Sequence, residues 1–166
     1  MNALNFLVIF VCALLILLDT PVRAEAPVEN QRVCKTEDLS GGTWKMVQFH
    51  ETPSFREAQW IKTIPYHYLA FYPDHYYAYL ATQNEVQTPS ALQKAMTWSQ
   101  NGKHRLQYTL DDKGVLDLYL DKKLNYRYRC FAIKATQNGY QKGDLVMTGY
   151  TKNAKSEVYK LYRRWF

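Results

Sequence analysis

Few residues in this sequence have the type and spacing that catalysis or metal binding requires. The four histidines do not form the H-E-x-x-H pattern that places two zinc ligands on one helix face; they are His50, His67, His75 and His104. The chain also lacks a G-x-S-x-G nucleophile elbow, a Walker loop and a C-x-x-C pair. We therefore expect no catalytic residue, no metal site and no cofactor. Chemistry inside a cavity remains the minority alternative, and a buried His50 or His67 hydrogen-bonded to a carboxylate would favour it.

The N-terminal segment indicates the compartment in which the rest of the chain is located. Residues 6–18 are apolar but too few to span a bilayer, which needs about 20. Pro21 and the small-residue site ending at Ala24 follow, so residues 1–24 are predicted to be a cleaved secretory signal peptide. The expected location is therefore secreted or periplasmic, with an N-terminal arm over residues 25–40 and one domain over residues 41–166. No later apolar run is long enough to span a membrane.

Two cysteines remain after the signal segment, Cys34 and Cys130. Because exported proteins meet oxidising conditions, we expect these two to form a disulfide, worth about 4 to 5 kcal/mol for a loop of this length. The alternative is a nucleophilic cysteine, which needs a partnered histidine and a lowered pKa. No sequence feature indicates such a pair.

The net charge of +6 is spread along the chain rather than collected in a basic stripe. Nucleic-acid binders usually carry basic residues with exposed aromatics on one module, and here the basic residues follow strand alternation instead. We expect no nucleic-acid partner, and a solvated surface with some attraction to anionic partners. A protein partner and the oligomeric state stay open.

Short alternating segments separated by turn residues fill the chain from residue 66 onward, which is typical of a sandwich or barrel. Every connection between them is short, so we predict an up-and-down antiparallel meander closed into a barrel of eight to ten strands. The segments number nine, including residues 96–100 paired with 103–110 across Asn101-Gly102. A closed antiparallel meander needs an even number of strands, so one segment must be missed or wrongly assigned. Short helices are expected after Ser54 and over residues 89–96, the second capped by Thr88.

Alternation also predicts strand register. A connecting loop with an odd number of residues keeps the apolar residues of both strands on the same face of the sheet. A three-residue loop at 122–124 would therefore place Leu118 opposite Tyr128 and Asp117 opposite Arg129. A three-residue loop ending at a left-handed Gly114 would place Leu110 opposite Leu116 and Tyr108 opposite Leu118.

The start of the first strand carries a family resemblance. Gly42-Thr43-Trp44 resembles the G-x-W motif of the lipocalins and the broader calycin group, where the motif lies on the first strand of an exported β-barrel. The same opening is similar to that of the fatty-acid-binding relatives, which are typically cytosolic. The chain departs from the lipocalin pattern in lacking a Thr-Asp-Tyr-type turn motif.

The resemblance implies that Trp44 closes one end of the barrel and that an arginine near the end of the last strand packs over it. Either Arg163 or Arg164 could fill that role. We favour Arg163, because it shares an apolar face of the last strand with Tyr159 and Leu161.

A lipocalin-like barrel implies binding or transport of a small hydrophobic or amphipathic molecule. The expected cavity residues are apolar or phenolic: Tyr68, Tyr77, Tyr79, Tyr108, Leu118, Tyr128, Met147 and Leu161. Arg127 and Arg129 could clamp a carboxylate, but the predicted register favours an outward ion pair with Asp117. The alternative function is a filled barrel that binds or inhibits another protein through its outer surface.

Overall fold

The computed structural model describes residues 28–51, 63–100, 105–150 and 157–166. A 3-10 turn over Val28–Asn30 opens the described chain. Two helices follow within these residues, α1 (Thr36–Leu39) and α2 (Pro89–Gln100). The strands are β1 (Gln31–Val33), β2 (Thr43–Glu51), β3 (Tyr66–Phe71), β4 (Tyr77–Thr82), β5 (Leu106–Leu110), β6 (Val115–Leu120), β7 (Lys123–Ile133), β8 (Leu145–Tyr150) and β9 (Glu157–Arg164).

Eight strands form one antiparallel sheet that is nearly closed into a barrel, in the order β4-β3-β2-β9-β8-β7-β6-β5. The ends of the sheet, β4 and β5, meet through a bridge between Tyr76 and Gln107. The Tyr108 amide also donates to the His75 carbonyl at 2.9 Å. The predicted fold class, an all-β antiparallel barrel with short helices, is confirmed.

The odd strand count is resolved at residues 96–100, where the predicted strand is wrong. These residues form the last part of α2, which runs without a break from Pro89 to Gln100. The predicted N-cap is confirmed, since the Ala91 amide donates to Thr88 Oγ1 at 3.3 Å. A five-residue segment is too short for its pattern to distinguish a strand from a helix, so local alternation gave the wrong assignment here.

The register between β6 and β7 also differs from the prediction. Leu118 faces Tyr126, and Asp117 faces Arg127, two residues from the expected partners. The turn contains two residues, Asp121 and Lys122, both with positive φ, rather than three. A bulge between Leu118 and Tyr119 supplies the extra residue, so the predicted face of each strand is kept although the partner is not.

The register between β5 and β6 agrees with the prediction. Leu110 faces Leu116, and Tyr108 faces Leu118. Gly114 has a φ of 74°, and a Cβ there would lie 2.5 Å from Val33 Cγ1 and 2.9 Å from the Cys130 carbonyl oxygen. The glycine therefore serves both the turn and the close approach of the N-terminal arm.

The N-terminal arm packs across the end of the barrel where β2 begins. β1 pairs with the end of β7, and Cys34 is joined to Cys130, which confirms the predicted disulfide. Leu39 of α1 is completely buried in the barrel core. The signal peptide and the helix expected after Ser54 lie outside the described residues. Among the helices of the described residues, we find none with the length and apolar character to cross a membrane.

Buried side chains lie on both faces of the sheet, in separate clusters. The largest cluster fills the barrel interior and includes Trp44, Leu116 and Leu145. On the outside, α2 covers β3 and β4, with Leu92 and Met96 completely shielded from solvent. Because several strands are covered on both faces, their apolar residues do not by themselves reveal which face points inward.

Candidate ligand-binding site in the barrel interior

Trp44 lies in the interior cluster at the start of β2 and is only 3% exposed. Its backbone pairs with Arg164 of β9, and the Arg164 guanidinium carbon lies 5.5 Å from the centre of the indole ring. A Cβ at Gly42 would lie 2.8 Å from Arg164 Nε. The glycine therefore leaves room for the arginine to cross the chain and reach the tryptophan, and a larger residue would require the guanidinium to shift.

The arginine predicted for this contact, Arg163, is the wrong one. It points to the outer face, where its guanidinium donates to both carboxylate oxygens of Asp144 at 2.8 and 3.0 Å. It also donates to the Gly139 carbonyl at 2.9 Å. The Asp144 hydrogen bond holds the Arg163 pKa above its usual value. Arg163 therefore fixes the β7–β8 loop to β9.

The inner face of β9 explains the error. It carries Val158, Lys160, Tyr162 and Arg164, whereas Tyr159 and Leu161 pack in an outer cluster with Tyr140 and Val146. The outer face is the more apolar of the two because the β7–β8 loop covers it. Because the more apolar face was assumed to point inward, the inner and outer faces of β9 were assigned the wrong way round.

Six of the eight predicted cavity residues face the interior. Tyr77, Tyr108, Leu118, Tyr128 and Met147 are buried in the interior cluster, and Tyr79 packs against it. Leu161 does not, because it belongs to the outer face of β9. Tyr68 is also outside: it is buried under α2, and its hydroxyl accepts a hydrogen bond from the Val86 amide at 3.0 Å.

Lys160 is an interior residue that sequence reasoning missed. Its side chain is only 7% exposed, and Nζ donates to the Tyr128 hydroxyl at 3.1 Å. Nζ also lies 5.2, 5.6 and 5.8 Å from the ring centres of Tyr128, Tyr126 and Phe49. From the sequence alone, a lysine in a strand is expected to point to solvent. The one available signal was its even spacing with Tyr162 and Arg164.

The interior changes in character along the barrel axis. Lys160 lies four residues from Arg164, about 13 Å along the strand, so it is well above the level of Trp44. Phe49 and Tyr126, whose rings lie beside Lys160, are only partly buried. Trp44, Leu116 and Leu145, by contrast, are almost completely buried. The part of the interior beside Lys160 is therefore less completely covered than the core around Trp44, although Lys160 and Val158 themselves are buried.

Two further polar side chains lie on the inner face of β3 and β4. His67 is buried on β3, and its Nδ1 shares a hydrogen bond with the Tyr79 hydroxyl on the neighbouring strand. Tyr77 is buried at the start of β4, and burial raises the pKa of its phenol to about 12. These groups give the apolar wall a small number of hydrogen-bonding positions.

The two arginines considered as carboxylate clamps point outward. Arg127 donates to both carboxylate oxygens of Asp117 at 2.7 Å, and the bond raises the Arg127 pKa. Arg129 is exposed on the same face of β7. The predicted outward ion pair is present, with Arg127 in place of Arg129 as the partner.

Within the residues that the structure describes, no group of three or more histidine, cysteine or acidic side chains could hold a metal ion. Comparison with known proteins gives no assignment, because no family model, no curated protein and no solved structure matches the chain. The interior geometry therefore carries the functional argument on its own.

Proposed function

We propose that this chain is an exported, lipocalin-like protein that binds a small amphipathic molecule in the upper part of its barrel. The observation that carries the proposal is the inner wall above Trp44. There, partly exposed apolar and aromatic side chains surround a few polar groups, including Lys160 and the Tyr128 hydroxyl. Small-molecule sites are typically mostly apolar, with a few placed polar groups that orient the ligand.

Two further observations support the export and family parts of the proposal. The disulfide between Cys34 and Cys130 is of the kind that persists in oxidising compartments. The packing of Arg164 over the G-x-W tryptophan matches the arrangement that the lipocalin resemblance implies. A non-enzymatic role accords with this proposal, and binding rather than chemistry is the expected activity.

A second candidate function has its own support. The lower interior is filled by side chains such as Leu116 and Leu145, which are completely buried. If side chains also fill the rest of the interior, the barrel has no ligand cavity, and its outer surface would bind or inhibit another protein. Ligand content distinguishes the two candidates.

The test is native mass spectrometry of the full chain expressed in an export-competent host and purified from the exported fraction. We expect a discrete adduct of a few hundred daltons, which solvent extraction would release for identification. A matched pair of variants on β5 tests whether the adduct is bound inside the barrel. Leu106→Trp adds bulk to the inner wall and should remove the adduct, whereas Thr109→Trp adds the same bulk on the exposed outer face and should leave it.

Circular dichroism would establish that both variants are folded. An apo mass for the unaltered protein, with no binding to lipid or aromatic compounds, would reject the carrier and favour the filled barrel.

A further inference from the structure

The tip of the β6–β7 hairpin exposes two leucine side chains to solvent. Leu120 is 38% exposed and Leu124 is 40% exposed, and the two lie on either side of the turn. Among the described residues, the large apolar side chains with comparable exposure are Val47 and Phe166, which lie elsewhere on the barrel. A single exposed leucine is ordinary, but two at one hairpin tip form a compact apolar patch.

The two leucines lie on opposite faces of the hairpin. Leu120 pairs with Lys123, and Leu124 pairs with Tyr119. Cross-strand partners share a face of the sheet, whereas adjacent residues of one strand point to opposite faces. A protein that packs on one side of the hairpin would contact only one of these leucines. A lipid layer surrounds an inserted tip on both faces, so it covers both.

Basic residues surround this apolar patch. Lys122 and Lys123 follow each other in the turn and at the start of β7, and both are exposed. The acidic residue of the turn, Asp121, accepts two hydrogen bonds from the Arg105 guanidinium, which balances its charge. The tip as a whole is therefore positive, in a chain whose net charge is +6. This charge is complementary to the headgroups of anionic phospholipids.

The turn keeps a lysine at a position where glycine would be favoured. Asp121 and Lys122 have φ values of 51° and 63°, both in the left-handed region. In two-residue hairpin turns of this kind the second position favours glycine, because a β-carbon is unfavourable there. Unfavourable backbone conformations are most often kept at functional positions. The presence of Lys122 is thus better explained by its charge than by the turn.

The hairpin also extends past the neighbouring strand. β6 and β7 pair with each other as far as Leu120 and Lys123, whereas the described pairing of β7 with β8 ends at Tyr128 and Gly149. The part of β7 between residues 123 and 128 has a length of about 16 Å. The tip lies at the end of the barrel opposite Trp44, and there it can contact a flat surface ahead of β8.

We propose that the β6–β7 tip docks the protein on a membrane surface that contains anionic phospholipids. Leu120 and Leu124 enter the boundary between headgroups and acyl chains, and Lys122 and Lys123 contact the headgroups. The attachment is peripheral, because a hairpin tip of this size does not cross the hydrocarbon core. This inference goes beyond the proposed carrier function and does not depend on the barrel cavity.

The test is co-sedimentation of the exported protein with vesicles at about 0.1 M salt. One set of vesicles contains phosphatidylcholine alone, and the other contains phosphatidylcholine with phosphatidylglycerol. We expect binding to the mixed vesicles that is at least about tenfold tighter than binding to the neutral ones. Lys122→Gln/Lys123→Gln should weaken binding to the mixed vesicles by about 25-fold, or about fivefold for each lysine. Leu120→Asn/Leu124→Asn should weaken it by about tenfold.

Matched variants control for charge, apolar surface and folding. Lys134→Gln/Lys142→Gln removes the same charge from exposed residues at the other end of the barrel, and Val47→Asn removes an exposed apolar side chain from β2. Both should leave binding within about twofold of the unaltered protein. Lys122→Gly relieves the left-handed conformation, so it should keep or raise the denaturation midpoint while it weakens binding by about fivefold. Circular dichroism would establish that every variant is folded.

The outcomes separate this inference from the carrier function. Equal weakening by the two pairs of lysine changes would show a general attraction of a basic protein and would overturn the proposal. Absence of binding to the mixed vesicles, or binding that survives the leucine changes, would also overturn it, in favour of a protein partner for the tip. Vesicle binding by a protein with an apo mass would reject the carrier and retain the membrane-docking tip.

Discussion

At the residue scale, two adjacent arginines on β9 have different tasks. Arg164 lies over Trp44 inside the barrel, and Arg163 binds the buried Asp144 outside it. The first contact is a cation–aromatic one, worth about 0.5 to 2 kcal/mol. The second neutralises a carboxylate that is only 2% exposed, and removal of its partner would leave that charge buried.

We therefore expect Arg163→Met to destabilise the protein by about 3 kcal/mol, and Arg164→Met by about 1 kcal/mol. Trp44→Ala should cost about 3 to 5 kcal/mol, since it empties a large space in the core. Chemical denaturation followed by circular dichroism would measure all three. A larger loss for Arg164→Met than for Arg163→Met would contradict the assignment of these two residues.

Tyr77 gives a prediction for alkaline pH. Its folded-state pKa of about 12 lies above the usual value of about 10, so the fold favours the protonated phenol. The associated stability, about 3 kcal/mol, is fully present below pH 10 and is lost as the pH rises to 12. In Tyr77→Phe the free energy of unfolding should depend less steeply on pH over that range. Identical slopes in the two proteins would show that the Tyr77 phenol is not protected.

At the scale of elements, α2 is the helix that makes the outer face of β3 and β4 a second core. Leu92 and Met96 are completely buried against Tyr68, Ala70 and Ala78. This explains why β3 is apolar on both faces and why Tyr68 resembled a cavity residue. A strand that is apolar throughout indicates burial on both sides, and the inward face must then be found from register.

Truncation of the helix contacts should therefore affect stability without affecting ligand binding. We expect Leu92→Ala to cost about 2 to 5 kcal/mol and the N-cap change Thr88→Ala to cost about 1 kcal/mol. Denaturant titration measures the loss, and native mass spectrometry measures the retained adduct. Loss of the adduct in a variant that is still folded would place the binding site under the helix rather than inside the barrel.

At the scale of the whole molecule, the sequence predicted the barrel, the disulfide and most inward-facing residues. The barrel and its inward-facing residues were predicted from period-two alternation, which follows directly from strand geometry, whereas the disulfide was predicted from the two cysteines of an exported chain. Alternation had two failures. It failed on β9, where a lysine is inside and leucine is outside, and at residues 96–100, where a helix continues. In both places tertiary contacts with a covering loop or sheet override the local pattern, and a single sequence contains no record of those contacts.

The disulfide acts on the whole molecule because it joins residues 96 positions apart. In the chain-entropy account its removal costs about 4 to 5 kcal/mol. Cys34→Ser/Cys130→Ser should therefore show a much lower denaturation midpoint than the oxidised protein, which should contain no free Cys34 or Cys130 thiol in denaturant. Two reactive thiols in addition to any from Cys12 would show that the bridge does not form in solution.

The nearly open boundary between β4 and β5 has a consequence for how the chain could be rearranged. Among the eight barrel strands, every neighbouring pair is consecutive in sequence except β2 and β9, the strands that lie near the two ends of the described chain. Thr43 and Trp165 are already linked there by a backbone hydrogen bond of 2.7 Å. A circular permutant that starts at β5 and ends after β4 would convert this most distant pairing into a local one. Since folding rates rise as contacts become more local, such a protein should reach the same barrel faster than the natural chain order allows.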